Sequence, residues 1–301
     1  MSSPVGIAPV GHRLPAATRL GPVRLQIADL DRSLAWYEQV LGLRTVERTG
    51  ERAVLAAQGG EAPLVELHAR AGAAPVPRRG RLGLYHYALL LPDRPALGAF
   101  LRHLAQLGER AGASDHLVSE ALYLQDPDGL GIEVYADRPR ESWSSVGREL
   151  RMDSRPLDAH DVMRAAGDAA WTGMPAGTTV GHVHLHVGDL DVADAFYHQA
   201  LGLDRVVWSY PGALFLSAGG YHHHLGVNTW SEGGAPGDGD ARLLDWTMAL
   251  PGAADVDATA AALRSAGHAV EADRGRDAGG VRVRDPWGTA LRIVHAGEPA
   301  G

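Results

Sequence analysis

The sequence predicts an α+β protein assembled from four βαβββ modules in two tandem copies. Three observations carry that prediction. Residues 29–43 (DLDRSLAWYEQVLGL) return as residues 189–203 (DLDVADAFYHQALGL), an offset of 189 − 29 = 160. Residues 122–136 (LYLQDPDGLGIEVYA) return near residues 281–296 (VRVRDPWGTALRIVHA), with Asp126-Pro127 falling on Asp285-Pro286 at an offset of 285 − 126 = 159. Self-similarity at a fixed offset marks duplicated supersecondary units. Within each copy, runs that alternate apolar with polar, the strand period, flank stretches of helical period.

Module one opens with the alternating run Val23-Arg24-Leu25-Gln26-Ile27. Asp31 is the expected N-cap of the helix that follows, with Leu34, Tyr37 and Leu41 on one face. Strands over 52–57 and 64–69 complete the module. Module two repeats the plan: a strand over 84–91, a helix over 96–107, and strands ending in 131–135. Module three has a strand over 182–187, a helix over 192–201, and strands over 213–217 and 223–228. Module four has a strand over 244–250, a helix over 256–265, and strands running through Ile293. The expected domains are 21–137 and 179–296, joined by a polar connector over 138–178 with a short helix at 159–170. Residues 1–20 read as a loose tail without the apolar core of a signal peptide, and 233–240 (GGAPGDGD) as an exposed flexible loop.

Composition narrows the function classes. A chain of 301 residues, 45% hydrophobic, can build two proper cores. It lacks an apolar run of about 18 residues, so no membrane span is expected. With no cysteine, disulfides and thiolate metal sites are ruled out, and a cytoplasmic setting is expected. A net charge of −8 argues against nucleic acid as a partner.

Several of the histidines are clustered. His182, His184 and His186 alternate with Val183, Leu185 and Val187, so on a strand the three imidazoles share one face. A row of imidazoles is a costly lining for a sealed core and suits a polar cavity. His222, His223 and His224 follow Gly219-Gly220-Tyr221, and alternation turns His223 away from its two neighbours. Glu133 points opposite to Ile132 and Val134, and His86 sits in a mostly apolar strand. Taken singly, a strand carboxylate is usually solvated and a core histidine usually just hydrogen-bonded. Together, two imidazoles and one carboxylate on rigid strands form the facial triad of a non-haem Fe(II) site.

These motifs resemble the vicinal oxygen chelate superfamily, and within it the two-domain type I extradiol dioxygenases of the catechol 2,3-dioxygenase-like branch. The resemblance is carried by the two DLD…LGL repeats, GHVHLHV (181–187), GGYHHHLGVNTW (219–230), LYHYALLLPDR (84–94) and SEALYLQDPDGLGIEVYADRPR (119–140). It implies incomplete β-barrels, each made of two modules around one metal. It further implies His86, Glu133 and His182 as metal ligands, His223 as the acid–base histidine, and Tyr123 as the tyrosine that orients bound substrate. His116 corresponds to a further pocket histidine, and His184, Tyr221, Trp230 and Tyr135 are expected substrate contacts. The implied reaction is extradiol cleavage of a catechol or hydroquinone by O2 at Fe(II), with Mn(II) as the other candidate. A small aromatic substrate and O2 are the expected partners, and a homo-oligomer is compatible with the family.

Superposing the copies exposes a departure. His182 faces Pro22, His86 faces Asp245 and Glu133 faces Arg292. Familiar two-domain members keep the whole site in the second copy, but here that copy offers an arginine, which stays protonated and cannot ligate. One complete site therefore requires module two to pair with module three, leaving modules one and four around a cavity without metal. The rival readings are a glyoxalase-like isomerase or lyase using Zn(II), Ni(II) or Mn(II), a metal-free binding or resistance protein, and Zn held by His182 with His184.

Overall fold

A computed structural model of the chain describes residues 5–273 and 279–296, so the first four residues of the expected tail lie outside it. Module one comprises β1 (Arg19–Ile27), α1 (Leu30–Gln39), β2 (Arg44–Thr49), β3 (Arg52–Ala56) and β4 (Pro63–Ala69). Module two comprises β5 (Gly83–Leu90), α2 (Arg94–Leu107), β6 (Gly112–Asp115), β7 (Ser119–Gln125) and β8 (Gly131–Asp137). The connector holds a ribbon, β9 (Ser145–Val146) and β10 (Glu149–Leu150), and α3 (Ala159–Ala165). Module three comprises β11 (Thr179–His186), α4 (Leu190–Ala193) continued by a π turn (Asp194–Ala200), β12 (Asp204–Val207), β13 (Ala213–Ser217) and β14 (Leu225–Asn228). Module four comprises β15 (Arg242–Leu250), α5 (Ala253–Ser265), β16 (Val270–Ala272), β17 (Val281–Arg284) and β18 (Ala290–His295).

Sixteen of these strands form two curled sheets. One runs β12-β13-β14-β11-β5-β8-β7-β6, the other β16-β17-β18-β15-β1-β4-β3-β2. Antiparallel β11 and β5 join module three to module two, and antiparallel β15 and β1 join module four to module one. Each sheet therefore takes half its strands from each copy, as the substitution pattern requires. Every module also contains one parallel pair: β1 with β4, β5 with β8, β11 with β14, β15 with β18. Parallel strands need a long crossover, and the module helix supplies it.

The repeated text has structural work to do. Asp29, rather than the expected Asp31, caps α1 by accepting from the Arg32 amide, and Asp189 caps α4 through the Val192 amide. Asp126 Oδ1 accepts from the Asp128 and Leu130 amides and closes the Asp-Pro turn, while the Tyr37 hydroxyl donates to its Oδ2. The second copy reproduces this with Asp285 and Tyr197. These buried ties join module one to two and three to four, the two pairings that the sheets do not make.

Two expectations change. Residues 5–18 are not loose: Leu14 is buried, its amide donates to the Gly202 carbonyl, and Arg13 grips the buried Asp204 carboxylate with two hydrogen bonds. An apolar anchor and a bidentate pair outweigh the entropy of so short a segment. The glycine-rich loop over 233–240 is mostly exposed but tethered, since Gln26 Nε2 donates to the Asp238 and Asp240 carbonyls and Leu82 N to the Gly234 carbonyl. Among the described residues, no helix is long and apolar enough to cross a membrane.

Candidate metal centre

Strand register builds the centre. β5 lies between β11 and β8, with Ala88 opposite both His182 and Glu133. Ala88 therefore provides a low floor between an imidazole and a carboxylate. His86, two residues earlier and so on the same face of β5, rises beside that floor. Close approach of β5 and β8 depends on Gly131, whose side is filled by the Tyr85 carbonyl, 2.0 Å from where a Cβ would stand.

All three side chains are buried, at 5% (His86), 2% (Glu133) and 1% (His182) exposure. His86 Nε2 lies 3.0 Å and His182 Nε2 3.1 Å from the same Glu133 Oε2. The His86 approach is off the hydrogen-bonding axis, which leaves Nε2 a buried atom with no aligned partner. Donors about 2.1 Å from a shared ion and about 90° apart stand about 3 Å from each other. The spacing, the orphaned Nε2 and the two-imidazole, one-carboxylate set all fit a divalent metal. The three are the one group of this kind among the described residues. Burial alone would raise the Glu133 carboxyl, but His182 and His86 hold it well below the usual carboxylate range. Burial lowers His86, leaving its ring neutral, the form that ligates.

Beside the three lies a cavity of about 170 Å³. His223 lines it, with its ring 4.1 Å from that of His182. Tyr123 and His116 form another wall, Tyr123 Oη lying 2.6 Å from His116 Nε2. His116 Nδ1 is 2.8 Å from the Asp153 carbonyl, which can only accept. In a neutral ring Nε2 then accepts from Tyr123, so the tyrosine oxygen keeps its lone pairs free towards the cavity. Burial, with Glu133 nearby, pushes the Tyr123 phenol well up, so it stays protonated.

His184 and Trp230, named above as expected substrate contacts, also line the cavity. His184 Nε2 is 2.9 Å from Asn228 Nδ2, which commits that nitrogen and argues against a His182–His184 zinc pair. Tyr135 and Tyr221 do not line it. Their hydroxyls meet at 2.7 Å and Tyr221 donates to Asp137, behind the histidines. Alternation put Tyr135 on the same face as Glu133, but two residues further along a curled strand the side chain passes beneath His182. The sequence reading missed Tyr85, Tyr210, Phe215 and Met152, which supply most of the apolar wall. Their one signal is aromatic type, which packing residues share.

The His222–His224 cluster lies just before β14 rather than on a strand, so alternation does not turn His223 away from His222: their Nδ1 atoms lie 2.7 Å apart. His223 enters the cavity, while His224 Nδ1 lies 3.2 Å from Ser217 Oγ and His222 Nε2 2.8 Å from Asp137 Oδ1.

In the other sheet ion pairs fill the corresponding place. Asp245, fully buried, pairs with Arg24 at 3.0 Å and Arg282 at 3.3 Å, and Arg292 with Asp273 at 2.7 Å. Glu66 extends the network to Arg52 and His68. Burial would raise the Glu66 carboxyl, but His68, Arg52 and Arg24 outweigh it and bring it down to about 2. A carboxyl depressed on folding stabilises the fold above its unfolded value of about 4.3, and that contribution is lost as pH falls through the folded value. Because the arginines are partly exposed, Glu66→Gln is expected to cost about 2 kcal/mol near pH 6 and progressively less below pH 4. Urea unfolding at both pH values reads this; an equal loss at each would contradict it.

Two sheets, each shared between the copies, with three side chains placed to hold a metal in one and ion pairs in the other, define a duplicated βαβββ protein with a candidate metal centre. The chain belongs to the Glyoxalase/Bleomycin resistance protein/Dioxygenase superfamily, whose family model matches residues 19–134 and 179–293. It is 43% identical over 275 residues to the catechol-2,3-dioxygenase of Bacillus subtilis (strain 168), covering 89% of this chain and 94% of that protein. The fold matches a crystal structure from Bacillus subtilis subsp. subtilis str. 168 at a TM-score of 0.66, with 17% identity over 96% of this chain and 87% of that one. It also matches glyoxalase I from Zea mays at a TM-score of 0.55, with 16% identity over 93% and 92%.

Proposed function

We propose that this protein is an Fe(II)-dependent extradiol dioxygenase that opens the ring of an uncharged catechol with O2. One observation carries the reading: His86, Glu133 and His182 converge at the edge of an aromatic-walled cavity that also presents His223 and Tyr123. The likeness to a catechol-2,3-dioxygenase supports it. Non-haem iron held by the three ligands supplies chelation for the diol and the redox chemistry that O2 requires; Mn(II) suits the same donors. His223 takes a proton from the diol and returns it later, a task for a neutral imidazole. Tyr123 Oη accepts a hydrogen bond from a substrate hydroxyl and fixes the ring's orientation. Tyr85 and Trp230 stand half-exposed at the mouth, and Tyr210, Phe215 and Met152 cover the ring and exclude water.

The wall also selects against charge. It contains Asp153 and Glu133 but no lysine or arginine. Arg78, Arg79 and Arg110 line a neighbouring recess instead. A substrate carboxylate in the cavity would be desolvated without a cation. After anaerobic purification and metal analysis, oxygen uptake should be vigorous with catechol and alkylcatechols. With 3,4-dihydroxybenzoate kcat/KM should be at least about tenfold lower, about 1.4 kcal/mol. Preference for the carboxylated substrate would refute the selectivity. Stoichiometric zinc without oxygen uptake would favour a glyoxalase-like isomerase.

A further inference from the structure

We propose that Asp137 and His222 are positioning residues that hold His223 in its Nδ1–H tautomer, leaving His223 Nε2 as a bare lone pair for the substrate. The inference deepens the proposed function, because it takes His223 to be the group that moves the diol proton.

Three side chains stand in line from the end of β8 to the cavity. Asp137 Oδ1 lies 2.8 Å from His222 Nε2, and His222 Nδ1 lies 2.7 Å from His223 Nδ1. His222 is fully buried, so water does not substitute for either contact. A carboxylate can only accept, so His222 Nε2 carries a proton. A neutral His222 then has a bare Nδ1, and a close contact between two ring nitrogens accommodates a single proton. That proton belongs to His223 Nδ1. A neutral His223 has no second one, and its Nε2 makes no hydrogen bond among the described residues. The opposite tautomer would place an N–H at Nε2, where it could donate to the substrate but not take its proton.

Asp137 is itself held. The Tyr221 hydroxyl donates to the same Oδ1 at 3.2 Å, and Tyr135 Oη lies 2.7 Å from Tyr221 Oη. Fixing the accepting oxygen fixes the His222 ring, and through it His223. β8 thus carries both Glu133 and, four residues later, the acid that sets the proton-transfer histidine. This gives Tyr135 and Tyr221 a place in the site without contact with substrate.

The direct test is the 15N spectrum of histidine-labelled, zinc-loaded protein, with His223 assigned by its loss in His223→Gln. A protonated Nδ1 with an unprotonated Nε2 is expected; an Nε2–H ring overturns the proposal, whatever reaction the protein performs. The kinetic test is His222→Phe, which removes the acceptor but keeps an aromatic ring in the space. It should lower kcat with catechol about 100-fold, with KM and bound metal unchanged within twofold. A kcat within twofold of wild type, or a parallel fall in bound metal, overturns the relay. If the wild type consumes no oxygen with any catechol, the functional reading fails and the spectrum alone decides the relay.

Discussion

Glu133→Gln is expected to yield a folded protein that no longer retains its metal. Glu133 is the one anionic member of the three proposed ligands, and its Oε2 stands within 3.1 Å of both histidine Nε2 atoms. Glutamine preserves the shape but replaces charge with an amide. The amide N–H groups can donate to bare imidazole nitrogens, which stabilises the closed, metal-free arrangement. Altering only the outer partners of a metal site costs about 10- to 100-fold in affinity, so loss of a charged ligand should exceed about 100-fold, with activity falling alongside. His86→Ala should lose the metal as well, because it removes one of the two imidazoles that face Glu133 Oε2. Equilibrium dialysis with metal analysis reads both variants. Full metal content or full activity in either would remove the assignment.

His223→Gln should behave in the opposite way. His223 lies against His182 with its ring tilted and does not join the three-residue group, so metal content should stay within twofold of wild type. General acid–base catalysis typically contributes about 10²- to 10⁴-fold, and kcat should fall by that order. Burial and the neighbouring imidazoles push the His223 ring well below the ordinary histidine range, so it enters the reaction neutral. Steady-state oxygen uptake at saturating catechol measures the loss. A variant with full kcat would remove His223 from proton transfer, and one lacking metal would recast it as a ligand.

Much of this arrangement could be read from the chain because duplication supplies its own control. Pro22, Asp245 and Arg292, standing where His182, His86 and Glu133 stand in the paired copy, excluded a site within modules three and four and required the two-with-three pairing. Strand alternation put His182 and His184 on one face of β11, but it does not govern His222 to His224, which precede β14 and whose first two rings meet at Nδ1. Other features carry no such signal. β2 (RTVERT) and β12 (DRVV) sit at sheet edges, where polar residues and short length blur the period. Arg13 and Leu14 dock the amino-terminal segment through contacts nearly 190 residues away in sequence, beyond the reach of any local pattern. Tyr135 was misjudged because alternation gives a face but not the depth along a curled strand. Tyr210 and Phe215 became part of the wall only through the close packing of β13 against the ribbon and the β12–β13 turn.

The central claim is a single catalytic metal site, built from both copies of the chain. Its most direct test is anaerobic titration of metal-free protein with Fe(II), with oxygen uptake on catechol measured at each ratio. The rate should rise linearly and level off at one iron per chain. A plateau at two irons per chain, or no oxygen uptake at any ratio, would contradict the claim.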